Sequence, residues 1–211
     1  RDDQDKNIVV PVLIHGDAAF EGQGVNMELF NMAMVEGYDI GGTIHVVVNN
    51  QIGFTTTHAL DKKAGLYCTE LAKMVQAPIF HVNGDDPEAV VFATQVAADY
   101  RQMFDTDVVI DLVCYRKHGH NEADEPSATQ PHMYKLIKAH KSPREIYAEQ
   151  LIAEGVIDAA YASTLVDEYR NRLDNKQGIV EFGPTHNNDK FKVDWTPYLS
   201  GELKEAVDTT I

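Results

Sequence analysis

The chain has 211 residues, 44% of them hydrophobic and 24% charged, a globular composition that argues against disorder. Eighteen basic residues stand against 33 acidic ones, which gives a net charge of −15. A chain this acidic is a poor candidate for binding nucleic acid or an anionic membrane surface, because both present negative phosphates. A phosphorylated ligand would need a helix N-terminus or a divalent cation to offset the repulsion.

Two further features bound the interpretation. No apolar run approaches the roughly 18 residues that a membrane span needs, and no charged-then-apolar signal peptide is present. The chain starts without Met, and we expect it to be a piece of a longer protein. The two cysteines, Cys68 and Cys114, lie in apolar surroundings and are expected to be buried free thiols.

Short apolar runs alternate with helical patterns through the first half of the chain. The runs at 8–14, 43–48, 79–82 and 108–114 predict strands, and the stretches 27–35, 66–75 and 87–100 predict helices. Asp86-Pro87-Glu88 is a strong helix start. This alternation predicts an α/β fold, a doubly wound and mostly parallel sheet with helices on both faces.

The pattern changes after Pro126. Residues 133–139 and 146–173 predict helices, with a break at Gly155, and the tail from Phe182 has no periodicity. We therefore expect an α/β core over 1–126, followed by a helical extension and irregular tail over 127–211 in the same domain.

Polar clusters follow three of the predicted strands. They are HGDAAFEGQG at 15–24, NNQIGFTT at 49–56 and YRKHGHNEADE at 115–125. Ligands of open α/β sheets bind outside the carboxyl ends of the strands, where these clusters would converge. The convergence carries more information than any one cluster.

Asp17 and Asn50 are candidates for one cation site. A carboxylate, an amide oxygen and a backbone carbonyl of the turn at 50–52 form an all-oxygen set that suits Mg²⁺ or Ca²⁺. Alternatively, Asp17 could be only a helix cap and Asn50 only a turn residue, with no ligand between them. The nearby glycines favour the first interpretation, because they let backbone amides approach an anion. The dinucleotide and P-loop fingerprints are absent, because 22–24 lacks both the third glycine and the Lys-Ser/Thr pair.

His118-Gly119-His120 admits two interpretations. The two histidines could ligate zinc, if carboxylates such as Glu122 completed the site. Alternatively Arg116, Lys117 and His120 form a cationic spot at the ligand edge of an acidic chain, which favours an anion site.

Several of these motifs together resemble a known family. HGDAAFEGQG followed by VVVNNQIGFTT resembles the cofactor motif of thiamine diphosphate enzymes. With APIFHVNGDDPEAV, DLVCYRKHGHNEADEPSATQP and MYKLIK, the match over about 8–175 most closely resembles the decarboxylating component of 2-oxoglutarate dehydrogenases. Pyruvate-specific relatives resemble it less well: they favour Gly at position 18, and many have a phosphorylatable Ser where this chain has Asn121.

The resemblance implies thiamine diphosphate and Mg²⁺ as cofactors. By motif match, Asp17, Asn50 and the backbone oxygen of Ile52 would bind the metal. The amides of Ala18 and Ala19 would lie near the diphosphate, and so would His120, the candidate for any catalytic role here. The implied reaction is oxidative decarboxylation of 2-oxoglutarate in the tricarboxylic acid cycle, within a multienzyme complex.

The implied partners are 2-oxoglutarate, the lipoyl domain of a dihydrolipoyl succinyltransferase and a second copy in the full-length enzyme, with neither nucleic acid nor membrane. The implied compartment is the bacterial cytoplasm, or the mitochondrial matrix in a eukaryote. The alternatives left open are a 2-oxoadipate or other 2-oxo acid dehydrogenase, a zinc metallohydrolase using His118 and His120, and a non-catalytic acidic interaction module.

Overall fold

A computed structural model describes residue 3 and residues 5–53, 66–178 and 194–196. Contacts divide the chain into two units, Arg1–Ala159 and Ala160–Ile211. No helix among the described residues is both long and apolar enough to cross a bilayer.

The first unit contains a sheet of four parallel strands in the order β1-β2-β4-β3. The strands are β1 (Val12–Gly16), β2 (Ile44–Asn49), β3 (Ile79–Asn83) and β4 (Val108–Val113). The prediction of an α/β fold around a parallel sheet is therefore confirmed.

Helices lie between the strands and continue after β4. In the first unit they are α1 (Asp17–Gly22), α2 (Gly24–Met32), a 3₁₀ helix (Cys68–Val75), α3 (Pro87–Phe104), a 3₁₀ turn (Pro126–Ala128), α4 (Pro131–Ala139) and α5 (Pro143–Ala153). Helix α6 (Ala159–Asp174) forms most of the described part of the second unit.

Local chemistry explains where α3 and α5 begin. The Asp86 side chain accepts a hydrogen bond from the Ala89 amide at 3.0 Å, and proline occupies the first turn, as the sequence predicts. Ser142 and Glu145 form a reciprocal capping box at the start of α5.

Apolar side chains cover both faces of the sheet, because successive residues of a strand point to opposite sides. Val47 and Val109 pack with Phe20, Phe30 and the 3₁₀ helix on one face. On the other face a second cluster packs against α3 and consists of Ile44, Val82, Ala97, Val108 and Ile110.

The order of the strands explains this division. The connections from β1 to β2 and from β2 to β3 cross the sheet in one direction. The connection from β3 back to β4 crosses it in the opposite direction. Since parallel crossovers are right-handed, a reversal of direction moves the connecting helix to the opposite face. Helix α3 forms the connection from β3 to β4. Of the described helices that pack on the sheet, it is the one that covers this opposite face.

Three local predictions were wrong in detail. The strand expected at 8–14 runs only from Val12 to Gly16. The helix expected at 27–35 runs from Gly24 to Met32, and the stretch at 66–75 forms a 3₁₀ helix. Gly155, at φ +74°, does interrupt the later helices as expected, and the tail from Phe182 lies outside the described residues apart from 194–196.

A buried guanidinium holds the amino edge of the sheet together. Arg101 of α3 is fully buried and donates to the carbonyls of Gly42 at 3.0 Å and Ile40 at 2.8 Å. It also donates to the carbonyl of Lys6, so one side chain ties α3 to two chain segments.

We expect Arg101→Met to lower the free energy of unfolding by roughly 3 kcal/mol, because it removes the donor from one buried carbonyl and two half-buried ones, at about 1–3 kcal/mol for a buried group. Urea titration of the chain measures this change. Arg144→Met, at a side chain that is 63% exposed, is the control and should change it little. Equal effects of the two substitutions would contradict the anchoring role.

A second buried polar group is His45 of β2, which is packed against the rings of Phe20 and Phe30. Its Nδ1 lies 3.1 Å from Nε2 of His15, and its Nε2 has no hydrogen-bond partner among the described residues. Burial, and then the charge of a protonated His15, lowers the pKa of His45 from 6.5 to about 4.

We expect stability to fall as the pH decreases from 6.5 to 4, because the unfolded histidine binds a proton in this range and the folded one does not. The loss should total about 3 kcal/mol for this group. Urea titrations at several pH values measure it, and His45→Phe should show a shallower dependence. An identical dependence in both proteins would rule out His45 as the cause.

Candidate functional site

The segments that follow β2, β3 and β4 meet at the carboxyl edge of the sheet. The Cys114 amide donates to the Asn49 carbonyl at 2.8 Å, and the Gly84 amide donates to the Val113 carbonyl at 2.8 Å. The Gln51 side chain donates to the Cys114 carbonyl at 2.8 Å. The ends of β2 and β4, which precede two of the three predicted clusters, thus meet at this edge, and the segment after β3 joins them.

Asp17 lies where β1 ends and α1 begins. Its side chain is only 5% exposed, and within the described residues its carboxylate receives no hydrogen bond or ion pair. A carboxylate at a sheet edge that accepts no donor from the protein can be compensated by a bound cation. Asp17 is therefore the strongest indication of a cation at this edge.

The local potential supports that conclusion. Burial, and then the negative charges of Asp17, Asp111 and Asp85, raise the pKa of the Cys114 thiol. Cys68 is buried, as expected, whereas Cys114 is only half-buried. Three carboxylates act on one thiol, so this edge of the sheet is electronegative without a bound cation.

The turn after β2 has an unusual backbone. Gln51 adopts φ +66°, in the left-handed region. Two side-chain oxygens hold the turn, since Asn49 Oδ1 accepts from the Gln51 amide at 3.1 Å and Asn50 Oδ1 accepts from the Ile52 amide at 3.2 Å. An amide oxygen has two lone pairs, so Asn50 Oδ1 retains capacity for a second partner.

The available donors fit a hard cation. Gly16 pairs with Val48 in the β1–β2 register, so Asp17 and the turn that carries Asn50 and Ile52 follow neighbouring strand ends. A carboxylate, an amide oxygen and a backbone carbonyl form the oxygen set that Mg²⁺ accepts, with water and phosphate completing the coordination.

Ala18 and Ala19 lie in the first turn of α1. The amides of a first helical turn have no intrahelical acceptor, and in a βα unit they face the carboxyl edge of the sheet. Their position is therefore compatible with binding a phosphate oxygen.

The loop after β4 is organised by Tyr134, which is 1% exposed. Its hydroxyl donates to the His118 carbonyl at 3.1 Å and accepts from Arg116 Nε at 3.3 Å. Further along, the His120 amide donates to Asp124 Oδ2 at 3.1 Å. Gly119 packs so closely that an added Cβ would lie 2.4 Å from the Asp124 carbonyl oxygen.

This loop borders a cavity of about 600 Å³. His118 and His120 line it together with both acidic and basic side chains, namely Lys117, Lys138, Glu122, Asp124 and Glu125. The cavity therefore has mixed charge, and Arg116 is engaged with Tyr134 instead of lining it. Among residues 5–53 and 66–178, no three His, Cys, Asp or Glu side chains come together to hold a metal, so the zinc interpretation gains no support.

The segment after β3 also contributes to this edge, although its sequence did not predict it. Asp85 pairs with His140 Nε2 at 2.8 Å, and both residues border a cleft of about 260 Å³ beside Cys114. The turn sequence Asn83-Gly84-Asp85, which follows the strand predicted at 79–82, was the available signal. His140 could not be placed beside Asp85 from the sequence, because 55 residues separate them.

Comparisons with known proteins agree on one family. The model of the dehydrogenase E1 component family matches residues 2–188. The chain is 55% identical to a 2-oxoglutarate dehydrogenase E1 component of Azotobacter vinelandii over 202 residues, which are 96% of this chain and 21% of that protein. It is 47% identical to the protein of the same name from Coxiella burnetii over 206 residues, 98% of this chain and 22% of that protein.

A multifunctional 2-oxoglutarate metabolism enzyme of Mycobacterium sp. (strain JLS) is 54% identical over all 211 residues, which are 17% of that protein. The chain thus spans about a fifth of the length of the curated relatives that it matches.

We expect Gly119→Ala to destabilise the loop after β4, because the new methyl group would collide with the Asp124 carbonyl. Overpacking of this kind costs about 1–3 kcal/mol. Limited proteolysis within 115–125 should become faster, as followed by mass spectrometry. Gly22→Ala, where an added Cβ meets nothing within 4 Å, is the matched control. Unchanged cleavage in Gly119→Ala would contradict the close packing.

Proposed function

Because the chain belongs to the dehydrogenase E1 component family, we propose that it is the metal- and diphosphate-binding segment of a 2-oxoglutarate dehydrogenase. The family depends on thiamine diphosphate, and Mg²⁺ is its usual metal partner. The observation that carries the proposal is the buried Asp17 carboxylate, which has no partner among the described residues beside the turn of Asn50 and Ile52.

In this proposal Asp17, Asn50 and the Ile52 carbonyl bind Mg²⁺. The metal neutralises the negative charge at this edge of the sheet. It also allows an acidic domain to bind a diphosphate, which the carboxylate alone would repel. The amides of Ala18 and Ala19 donate to the diphosphate from the first turn of α1.

His120 is the further candidate for contact with the diphosphate, from the loop after β4. The Tyr134 hydroxyl and the Asp124 carboxylate hold that loop in place. When bound, thiamine diphosphate supplies an electron sink for the cleavage of the bond between the keto carbon and the carboxylate of a 2-oxo acid.

The names of the relatives support a proposal for the substrate. We propose 2-oxoglutarate as the substrate, since the relatives' names specify it and not 2-oxoadipate. We also propose succinyl transfer to the lipoyl domain of a succinyltransferase, and a homodimer of the full-length enzyme. The doubly wound sheet and the helical extension are the scaffold that we propose for this segment.

We expect Asp17→Ala or Asn50→Ala in the full-length enzyme to weaken Mg²⁺-dependent binding of thiamine diphosphate by at least about 100-fold, since each removes a direct metal ligand. Calorimetric titration of the cofactor with and without Mg²⁺ measures this effect. Asp107→Ala is the matched control, because Asp107 is equally buried at 5% exposure but lies at the amino edge of the same sheet.

Two results would contradict this proposal, the first from calorimetry of the variants and the second from metal analysis of the wild-type enzyme. Unchanged cofactor binding in both variants would refute the assigned ligands. Stoichiometric zinc without any dependence on thiamine diphosphate would favour a hydrolase using His118 and His120.

We further expect the 211-residue chain alone to bind the cofactor weakly and to release no CO₂ from 2-oxoglutarate. It spans about a fifth of its relatives, and the motifs that activate the pyrimidine ring and contact the substrate are not recognisable in its sequence. A ¹⁴CO₂-release assay with added Mg²⁺ and thiamine diphosphate measures this, with the full-length enzyme as the positive control. Measurable turnover by the chain alone would refute the prediction.

A further inference from the structure

A polar network built on one buried carboxylate crosses three neighbouring strands just beneath the carboxyl edge. Asp111 of β4 is fully buried. Its Oδ1 accepts from Asn49 Nδ2 of β2 at 3.0 Å, and its Oδ2 lies 2.7 Å from His81 Nδ1 of β3. Asp111 pairs with Val47 in the β2–β4 register, so it lies two positions inside the strand end that Asn49 occupies.

The carboxylate decides how the Asn49 side chain is oriented. An ionised carboxylate only accepts hydrogen bonds, so the NH₂ group of Asn49 must face Asp111. The Asn49 oxygen is then directed to the Gln51 amide, 3.1 Å away, and holds Gln51 in its left-handed conformation. A reversed amide would place a donor against the Gln51 amide and leave Asp111 without one of its donors.

The turn is tied to β4 on both sides of this contact. The Asn49 carbonyl accepts from the Cys114 amide, and the Gln51 side chain donates to the Cys114 carbonyl, each at 2.8 Å. Asn50 and Ile52, which flank Gln51, supply the oxygens assigned to the metal. The conformation of Gln51 therefore sets the relative positions of those two oxygens.

We infer that Asp111 is a positioning residue for the metal site: through the Asn49 amide it holds the turn at 49–52 in the conformation that presents the oxygens of Asn50 and Ile52 to Mg²⁺. The inference rests on the proposed function and extends it to a residue inside the sheet. His81 completes the environment of Asp111 by occupying its second oxygen, so the carboxylate keeps one orientation.

A purely structural role predicts a different outcome, and the fold supplies a control for it. Asp107 precedes the same strand β4, is 5% exposed and accepts from the Thr43 amide at 2.8 Å at the opposite edge. Removal of Asp107 leaves the buried Thr43 amide unpaired, and removal of Asp111 leaves the half-buried Asn49 amide group and the His81 ring nitrogen unpaired. Only Asp111 is connected to the turn that carries Asn50 and Ile52.

The test uses the full-length enzyme and the variants Asp111→Ala, Asp111→Asn and Asp107→Ala. Calorimetry measures the Kd of Mg²⁺ at saturating thiamine diphosphate, and thermal unfolding without metal measures stability. We expect Asp111→Ala to raise the Kd of Mg²⁺ on the order of 10-fold or more, the usual effect of losing a group that orients metal ligands. In activity assays it should raise the Mg²⁺ concentration for half-maximal rate, while the rate at saturating Mg²⁺ falls less.

Asp111→Asn should have a Kd for Mg²⁺ close to that of the wild type. Its oxygen can accept from Asn49 Nδ2, and its amide can donate to the other tautomer of His81. Asp107→Ala should lower the unfolding temperature and leave the Kd unchanged. If Asp111→Ala does not fold, Asn49→Ser takes its place, because serine is too short to reach Asp111, and the same increase in Kd is expected.

The outcomes separate the two proposals. An unchanged Kd in Asp111→Ala, or an equal increase in Asp107→Ala, overturns the positioning role while Mg²⁺-dependent cofactor binding by the wild type still supports the proposed function. Absence of Mg²⁺-dependent cofactor binding in the wild type overturns the proposed function and the positioning role with it.

Discussion

The parallel pairing of β2 with β4 is the constraint on which the rest of the molecule depends. Because the strands run in the same direction, their carboxyl ends lie at one edge, where the Cys114 amide binds the Asn49 carbonyl. Strands β1 and β3 extend this pair on either side, and their ends bring Asp17 and Asp85 to the same edge. An antiparallel partner in the centre would have separated these groups by the length of a strand.

That geometry has an electrostatic consequence. It gathers carboxylates in a chain that is already acidic, and it buries Asp17 without a partner among the described residues. A divalent cation that binds only the folded segment would stabilise it as well as hold a diphosphate. The net charge of −15 is thus linked to the proposed site, since a metal ion is what makes an anionic ligand acceptable here.

Much of the fold could be predicted because its signals are local. The apolar β-branched runs of the four strands, the Asp86-Pro87 helix start and the break at Gly155 each lie within a few neighbouring residues. The site was partly predictable for the same reason, since Asp17 and Asn50 directly follow strands. The strand order could not be predicted in this way, because it depends on which distant strands pair, and β3 lies beyond β4 although it precedes β4 in the chain.

The sequence by itself determined the alternation of strands and helices, the acidic charge and the motifs that identify the family. Only the tertiary structure decided that Asp111, Asn49 and His81 form one network, and that Asp85 meets His140. These contacts join residues 30 to 62 positions apart, and each side chain alone resembles an ordinary strand or turn residue. Whether such contacts form depends on strand register. Register determines which side chains share a face of the sheet and which carboxylate has a donor within reach.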